Sequence, residues 1–180
     1  MTEANKKILG EQRRTLILEW LQTEGIPLTG SELSKRTNVS RQVIVQDISL
    51  LKAKNEPIIA TSQGYLYMQT PDQKGRYEQI IACHHGPETA DRELFLLVDH
   101  GVRVRDVIVE HPIYGELTAS IMVSTRKEVE TFLEHVKNTN ASYLSQLTDG
   151  THLHTIEADT PKKLQEACAA LRKEGFLIES

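Results

Sequence analysis

Residues 29–54, TGSELSKRTNVSRQVIVQDISLLKAK, hold two short helical patterns hinged on a three-residue polar turn, and few folds accommodate that arrangement. Thr29 or Gly30 opens the first pattern, with Leu33 as its inward anchor. Asn38-Val39-Ser40 makes the turn, and Ser40 is a good N-cap for the second helix, whose buried stripe is Val43, Ile44, Ile48 and Leu51. Upstream, Lys6–Glu24 predicts a helix with Ile8, Leu9, Leu16, Ile17, Trp20 and Leu21 mainly on one face; Gly25 and Pro27 stop it. Downstream, EPIIATSQGYLYM predicts two strands around a turn at Ser62-Gln63-Gly64, a hairpin that makes the wing of a winged helix-turn-helix.

In a helix-turn-helix the second helix lies in the major groove, with its first side chains on base edges. Arg41 then suits guanine, and Gln42 or Gln46 suits adenine. Ser40 sits beside them at the helix start, while Lys35, Arg36, Lys52 and Lys54 suit phosphates, which set register without reading sequence. The same three-helix scaffold also serves protein contacts, since fold alone does not fix function. The stretch Arg13–Tyr67, above all LSKRTNVSRQVIVQDI, resembles the helix-turn-helix of the biotin-repressor-like class, which implies DNA binding.

Charge divides along the chain. The net charge is −4, but residues 1–55 carry nine Lys/Arg against six Asp/Glu, so the positive excess lies in that part and the remainder is acidic. Such asymmetry fits one half meeting a polyanion. With 39% apolar and 26% charged residues, no long apolar run and no apolar core of a secretion signal near the start, the chain reads as globular, cytoplasmic and without a membrane partner. Cys83 and Cys168 each follow alanine in an apolar stretch and read as two reduced, buried thiols.

Thr70–Gly75 is a polar, turn-rich segment that separates a DNA-binding domain, 1–70, from a regulatory domain, 71–180. Beyond it the sequence predicts strands at 76–83, 102–110, 115–124 and 151–158 and helices at 89–100, from Thr125 and from Pro161. Thr125 with Glu128 forms a capping box; Asp159 or Thr160 caps the last helix, and FLIES ends the chain as a strand. The expected fold is α+β: an α/β sandwich with helices on one face of a mixed sheet.

All seven histidines follow the boundary. His152 and His154, two apart on a strand, leave the same face and can converge on one ion, or be two polar side chains on a solvated sheet. His85 and Glu93 supply a third nitrogen and a carboxylate, a donor set that suits zinc, nickel, iron or copper. His84 should point away from His85; His100 and His135 lie near helix ends and read as structural.

The strings HHGPETADRELFLLVDHG, VRDVIVEHPIYGELTASIMVS and GTHLHTIEA resemble the three-histidine (3H) domain, here placed after a biotin-repressor-type helix-turn-helix. Over residues 10–180 the pair resembles the NiaR-type family of nicotinate-responsive repressors of NAD biosynthesis and niacin uptake. The resemblance implies one divalent metal per chain, nickel or zinc, at His85, Glu93, His152 and His154. It also implies nicotinic acid as co-repressor, a homodimer, operator DNA as partner, and no enzymatic activity. His111, held extended by Pro112, and Tyr114 are candidates for the pyridine carboxylate, with Arg103 or Arg105 as counter-ion. Two rivals use the same ligands: a direct metal sensor, and a metal-dependent hydrolase, which lacks a convincing general base, Glu157 and Glu88 being no more than candidates.

Overall fold

A computed structural model describes residues 8–68 and 75–179, so the expected boundary at Thr70–Lys74 lies outside the described residues. The chain forms two compact units, Met1–Pro71 and Asp72–Ser180. No helix among the described residues is long and apolar enough to cross a membrane.

The first unit contains α1 (Gly10–Glu24), α2 (Gly30–Thr37), α3 (Arg41–Ala53), β1 (Ile58–Thr61) and β2 (Gly64–Tyr67). Its helix starts follow the sequence. The Thr29 hydroxyl accepts from Glu32 N, and the Ser40 hydroxyl accepts from Val43 N. Asn38 takes a left-handed conformation, φ 52°, which turns the chain between the two helices. Ile17, Leu21, Leu28, Leu33, Ile44, Ile48, Leu51 and Ile58 form the core, with Trp20 packed against it. β1 and β2 pair antiparallel, and Leu28 bridges to Tyr65. Gly64, at φ 127°, sits so close to the Leu28 carbonyl that a Cβ could not fit there.

Asp47 lies buried under α1. Its carboxylate accepts from Arg13 Nε at 2.5 Å and Nη2 at 3.2 Å, and from Arg14 Nη1 at 3.2 Å. Arg13 is itself buried, so two of the cations in the basic N-terminal stretch hold α3 to α1. Asp47→Ala is expected to destabilise this unit by about 3–5 kcal/mol, because it leaves a buried guanidinium unpaired. Urea unfolding followed by fluorescence of Trp20, the single tryptophan, reads this unit directly.

The second unit contains β3 (Tyr77–His84), α4 (Ala90–Asp99), β4 (Arg103–His111), β5 (Gly115–Ala119), α5 (Arg126–Thr139), β6 (Thr151–Ala158) and α6 (Pro161–Lys173), with short 3-10 turns at Pro87–Thr89 and Leu144–Thr148. The sheet order is β3-β6-β4-β5. The fold is α+β as expected, but every ladder is antiparallel where a mixed sheet was expected. The β3–α4–β4 segment reads as a parallel crossover, yet β6 slots between β3 and β4 and runs against both. One apolar cluster joins Ile81, Val104 and Ile156 of the sheet to Leu94 and Leu97 of α4, Val129 of α5 and Leu164 and Leu171 of α6.

Caps again match the sequence: Thr125 and Glu128 complete a capping box, and Thr160 caps α6 with Pro161 in its first turn. Two expected strands shorten. β5 ends at Ala119, because Met122 adopts φ 53° and leaves only a bridge from Val123 to Val104. The C-terminal segment forms one bridge, Leu177 to Cys83, in place of a strand.

Candidate functional site

The geometry starts from strand periodicity. His152 and His154 leave β6 on the face covered by the helices, opposite Cys83 and Ile81 of β3. His85 follows β3, and its backbone N donates to Gly150 O. Gly150 has φ 95°, and a Cβ there would strike the His85 carbonyl, so glycine is required where these two histidine-bearing segments meet. Glu93 comes down from the first turn of α4 and is buried, at 2% exposure.

The four side chains meet at one carboxylate oxygen. Nε2 of His85, His152 and His154 lie 2.7, 3.2 and 3.3 Å from Glu93 Oε2. Each Nδ1 sits against a backbone carbonyl: His85 on Gly86 at 2.9 Å, His152 on Gly150 at 2.8 Å, His154 on Asp106 at 2.7 Å. An Nδ1 that donates to a carbonyl leaves Nε2 of the neutral ring as a lone pair. Three lone pairs aimed at a carboxylate repel unless protons or a cation come between them. The Asp106 carbonyl is available because β4 is irregular between Val104 and Asp106, while the Asp106 carboxylate accepts Thr155 N at 2.9 Å.

The electrostatics follow. Burial works against charge on His85 and His154, yet the Glu93 carboxylate outweighs it and lifts both above the usual imidazole value. Burial also works against ionised Glu93, and the His154, His152 and His85 imidazoles outweigh that, holding it well below the usual carboxylate range. The raised histidines contribute stability that is fully present below the ordinary 6.5 and is lost as pH rises through their folded values. Glu93 contributes above the ordinary 4.5 and loses its contribution as pH falls through its lowered value. Metal-free protein is therefore expected to be most stable between roughly pH 4.5 and 6.5 and to melt at lower temperature as pH rises toward 8. Scanning calorimetry in chelator checks this; a melting temperature that climbs steadily from pH 6 to 8 contradicts it.

Edges of a tetrahedron with bonds of about 2.0–2.1 Å are about 3.3–3.4 Å long, so the His152 and His154 separations of 3.2 and 3.3 Å fit a small divalent ion, whereas His85, at 2.7 Å, hydrogen-bonds Glu93 directly and would have to draw back to admit one. Cys83, Glu93 and His152 also place one donor atom each within 4.8 Å of one another. Beside the cluster lies a cavity of about 40 Å³, lined by the three histidines, Glu93, Val107, Phe132, Tyr143 and Ser145 among others. Ser145 and the aromatic pair Phe132–Tyr143, 6.3 Å apart, were not singled out from sequence. Tyr143 and Ser145, at the start of the Leu144–Thr148 3-10 turn, carry no periodic signal, and Phe132 reads from sequence as part of the apolar stripe of α5.

Other expected site residues lie elsewhere. His111 accepts from Ile113 N and Tyr114 N through Nδ1 at the tip of the β4–β5 hairpin, where Tyr114 is 75% exposed. That tip is four residues beyond Val107, the partner of His154, or about 13 Å along the strand. Arg103 lies beside Glu157, at 3.9 Å, on a residue pair that alternates to the other face from His154. The structure thus does not bring His111, Tyr114 or Arg103 to the cluster within one chain. Arg105 binds Glu78 and Asp106. His84 is exposed and contacts Thr151 Oγ1, and His100 binds the Leu96 carbonyl.

On the first unit, Lys35, Arg36, Ser40, Arg41, Gln42, Gln46 and Lys52 are all exposed on α2, α3 and the turn between them. Arg36 differs from the rest. It is ion-paired to Glu24 and to Glu32, at 2.6 Å for the latter, and stands over the Trp20 ring.

Residues 13–66 match a family described as an HTH domain, and residues 78–180 match the 3H domain. The chain is 58% identical to "Transcription repressor NadR" of Bacillus subtilis (strain 168) over 180 residues, 99% of each chain. It is 38% identical over 173 residues to "Probable transcription repressor NiaR" of Thermotoga maritima, covering 96% of this chain and 97% of the relative. An HTH unit of three helices and a hairpin, followed by a 3H unit with its histidines gathered on one sheet face, belongs to the NadR/NiaR family of transcription repressors.

Proposed function

We propose that this chain represses genes of NAD biosynthesis and niacin uptake as a homodimer, with nicotinic acid as co-repressor at a divalent metal centre in the 3H unit. The observation that carries the reading is the convergence of three Nδ1-anchored imidazoles on Glu93. His85, Glu93, His152 and His154 would hold nickel or zinc, which supplies a Lewis-acidic position for a carboxylate or a pyridine nitrogen. The relatives' printed names support repression.

The chain's own residues suit this role. Phe132 offers a ring face for a pyridine, and Ser145 and the Tyr143 hydroxyl offer polar contacts beside the ligands. A cavity of about 40 Å³ has room for a few waters but not for an aromatic ring, which enters only if the Tyr143–Ser145 segment and Phe132 give way. That displacement is the means by which effector binding changes the unit's shape. His111 and Tyr114, on an exposed hairpin tip, and Arg103 remain candidate effector contacts only if supplied across a dimer. Lys35, Ser40, Arg41, Gln42, Gln46 and Lys52 would meet DNA, with Arg36 held back by its carboxylate partners.

The test is fluorescence anisotropy on promoters of NAD-synthesis genes, using metal-loaded protein with and without nicotinate. Nicotinate is expected to tighten binding about 5- to 150-fold, the range of a 1–3 kcal/mol coupling. The small cavity also favours a second reading, a direct metal sensor, in which added metal alone tightens DNA binding and nicotinate does nothing.

A further inference from the structure

The ladder that sets His152 against its β3 partner sets a sulfur there as well. Cys83 pairs with His152 across β3 and β6, and its side chain shares the helix-covered face with the ligands. It is fully buried, and its Sγ, a Glu93 carboxylate oxygen and a His152 ring nitrogen all lie within 4.8 Å of one another. The Leu177 bridge and the bond from Ile178 N to the Ala82 carbonyl pin this stretch of β3 on its outer side. Cys83 does not line the cavity.

We propose that Cys83 supplies a sulfur donor to the centre, beside the three imidazoles and Glu93. This rests on the reading of the histidine cluster as a metal centre. Coordination releases the thiol proton to water, since the thiolate is the metal ligand. A soft sulfur in the donor set discriminates for zinc, nickel or cobalt and against magnesium, calcium and manganese, which prefer oxygen. Cys83 belongs to the apolar core and does not line the cavity, so the sulfur takes up none of the space open to a small ligand.

Cobalt(II) titration of the full chain, read by absorption, separates the possibilities. The wild type is expected to show visible ligand-field bands together with a sulfur-to-cobalt charge-transfer band in the near ultraviolet. Cys83→Ser should keep the visible bands and lose the near-ultraviolet one, whereas Cys168→Ser, which removes the other thiol, should keep both. Visible bands without a charge-transfer band in the wild type overturn the sulfur assignment and leave the metal reading standing. A charge-transfer band lost in Cys168→Ser and kept in Cys83→Ser overturns it too. No visible bands at all remove both readings together. If Cys83→Ser does not fold, X-ray absorption on the cobalt-loaded wild type decides, through presence or absence of a sulfur shell at about 2.3 Å.

Discussion

Loading the wild-type chain with zinc or nickel is expected to stabilise the 3H unit by about 4 kcal/mol when free metal exceeds its Kd about a thousandfold, and Glu93→Gln is expected to abolish most of that gain. The size follows from the thousandfold excess, and its assignment to this unit from where the four side chains sit. Glu93 belongs to α4, His152 and His154 to β6, and His85 to the segment after β3, so an ion held by all four would cross-link three separate stretches of the unit. Their orientation is fixed before any ion arrives, because each Nδ1 is held by a backbone carbonyl; such outer contacts commonly change metal affinity 10- to 100-fold when removed. Glu93→Gln keeps the shape and removes the charge. It also deprives His85 and His154 of the carboxylate that raises them, so the metal-free variant should lose the acid-side stability maximum. Calorimetry with chelator and then with metal checks both effects. A Glu93→Gln variant that takes up metal and gains stability like the wild type would remove the carboxylate from the donor set.

Much of this was legible because local chemistry announced it. Ser40 and Thr29 mark helix starts through a hydroxyl that can satisfy an orphan amide, and Thr125 with Glu128 does so twice over. His152 and His154 are readable by period-2 arithmetic alone, whereas His85 and Glu93 are legible only as a candidate third nitrogen and carboxylate, which the family strings strengthen, since nothing in an eight-residue spacing forces the two together. The same period-2 argument places Cys83 on the face of His85, a signal that was present but outweighed by the ordinary expectation of a buried thiol. Other features depend on pairing across distant segments. The β4 irregularity that releases the Asp106 carbonyl and the insertion of β6 between β3 and β4 each depend on partners more than 40 residues away. Arg13 shows the converse. It counts as a positive charge toward a polyanion, yet it is spent on Asp47, 34 residues along.

Arg41→Ala is expected to cut affinity for the specific operator about 5- to 150-fold while leaving affinity for unrelated duplex nearly unchanged, the signature of a lost base contact worth about 1–3 kcal/mol. Arg41 begins α3, exposed, one residue after the Ser40 cap, where side chains of a recognition helix reach base edges. Lys52, at the other end of the same helix, is exposed too and suits a phosphate. Lys52→Ala should weaken specific and non-specific binding by similar factors and lower the salt dependence by about one unit of slope. Arg36 supplies the contrast that the structure adds. Hydrogen bonds to Glu24 and Glu32 hold its guanidinium above the ordinary value and occupy its donors, so Arg36→Ala should change the salt slope less than Lys52→Ala does. Anisotropy titrations on operator and scrambled duplex at several salt concentrations measure all three variants at once. Equal losses on both duplexes for Arg41→Ala would make it a phosphate contact and move base reading to Gln42 and Gln46. A larger salt-slope change for Arg36 than for Lys52 would mean that DNA pulls Arg36 away from its carboxylate partners, and α2 would then lie closer to the phosphate backbone than α3's far end.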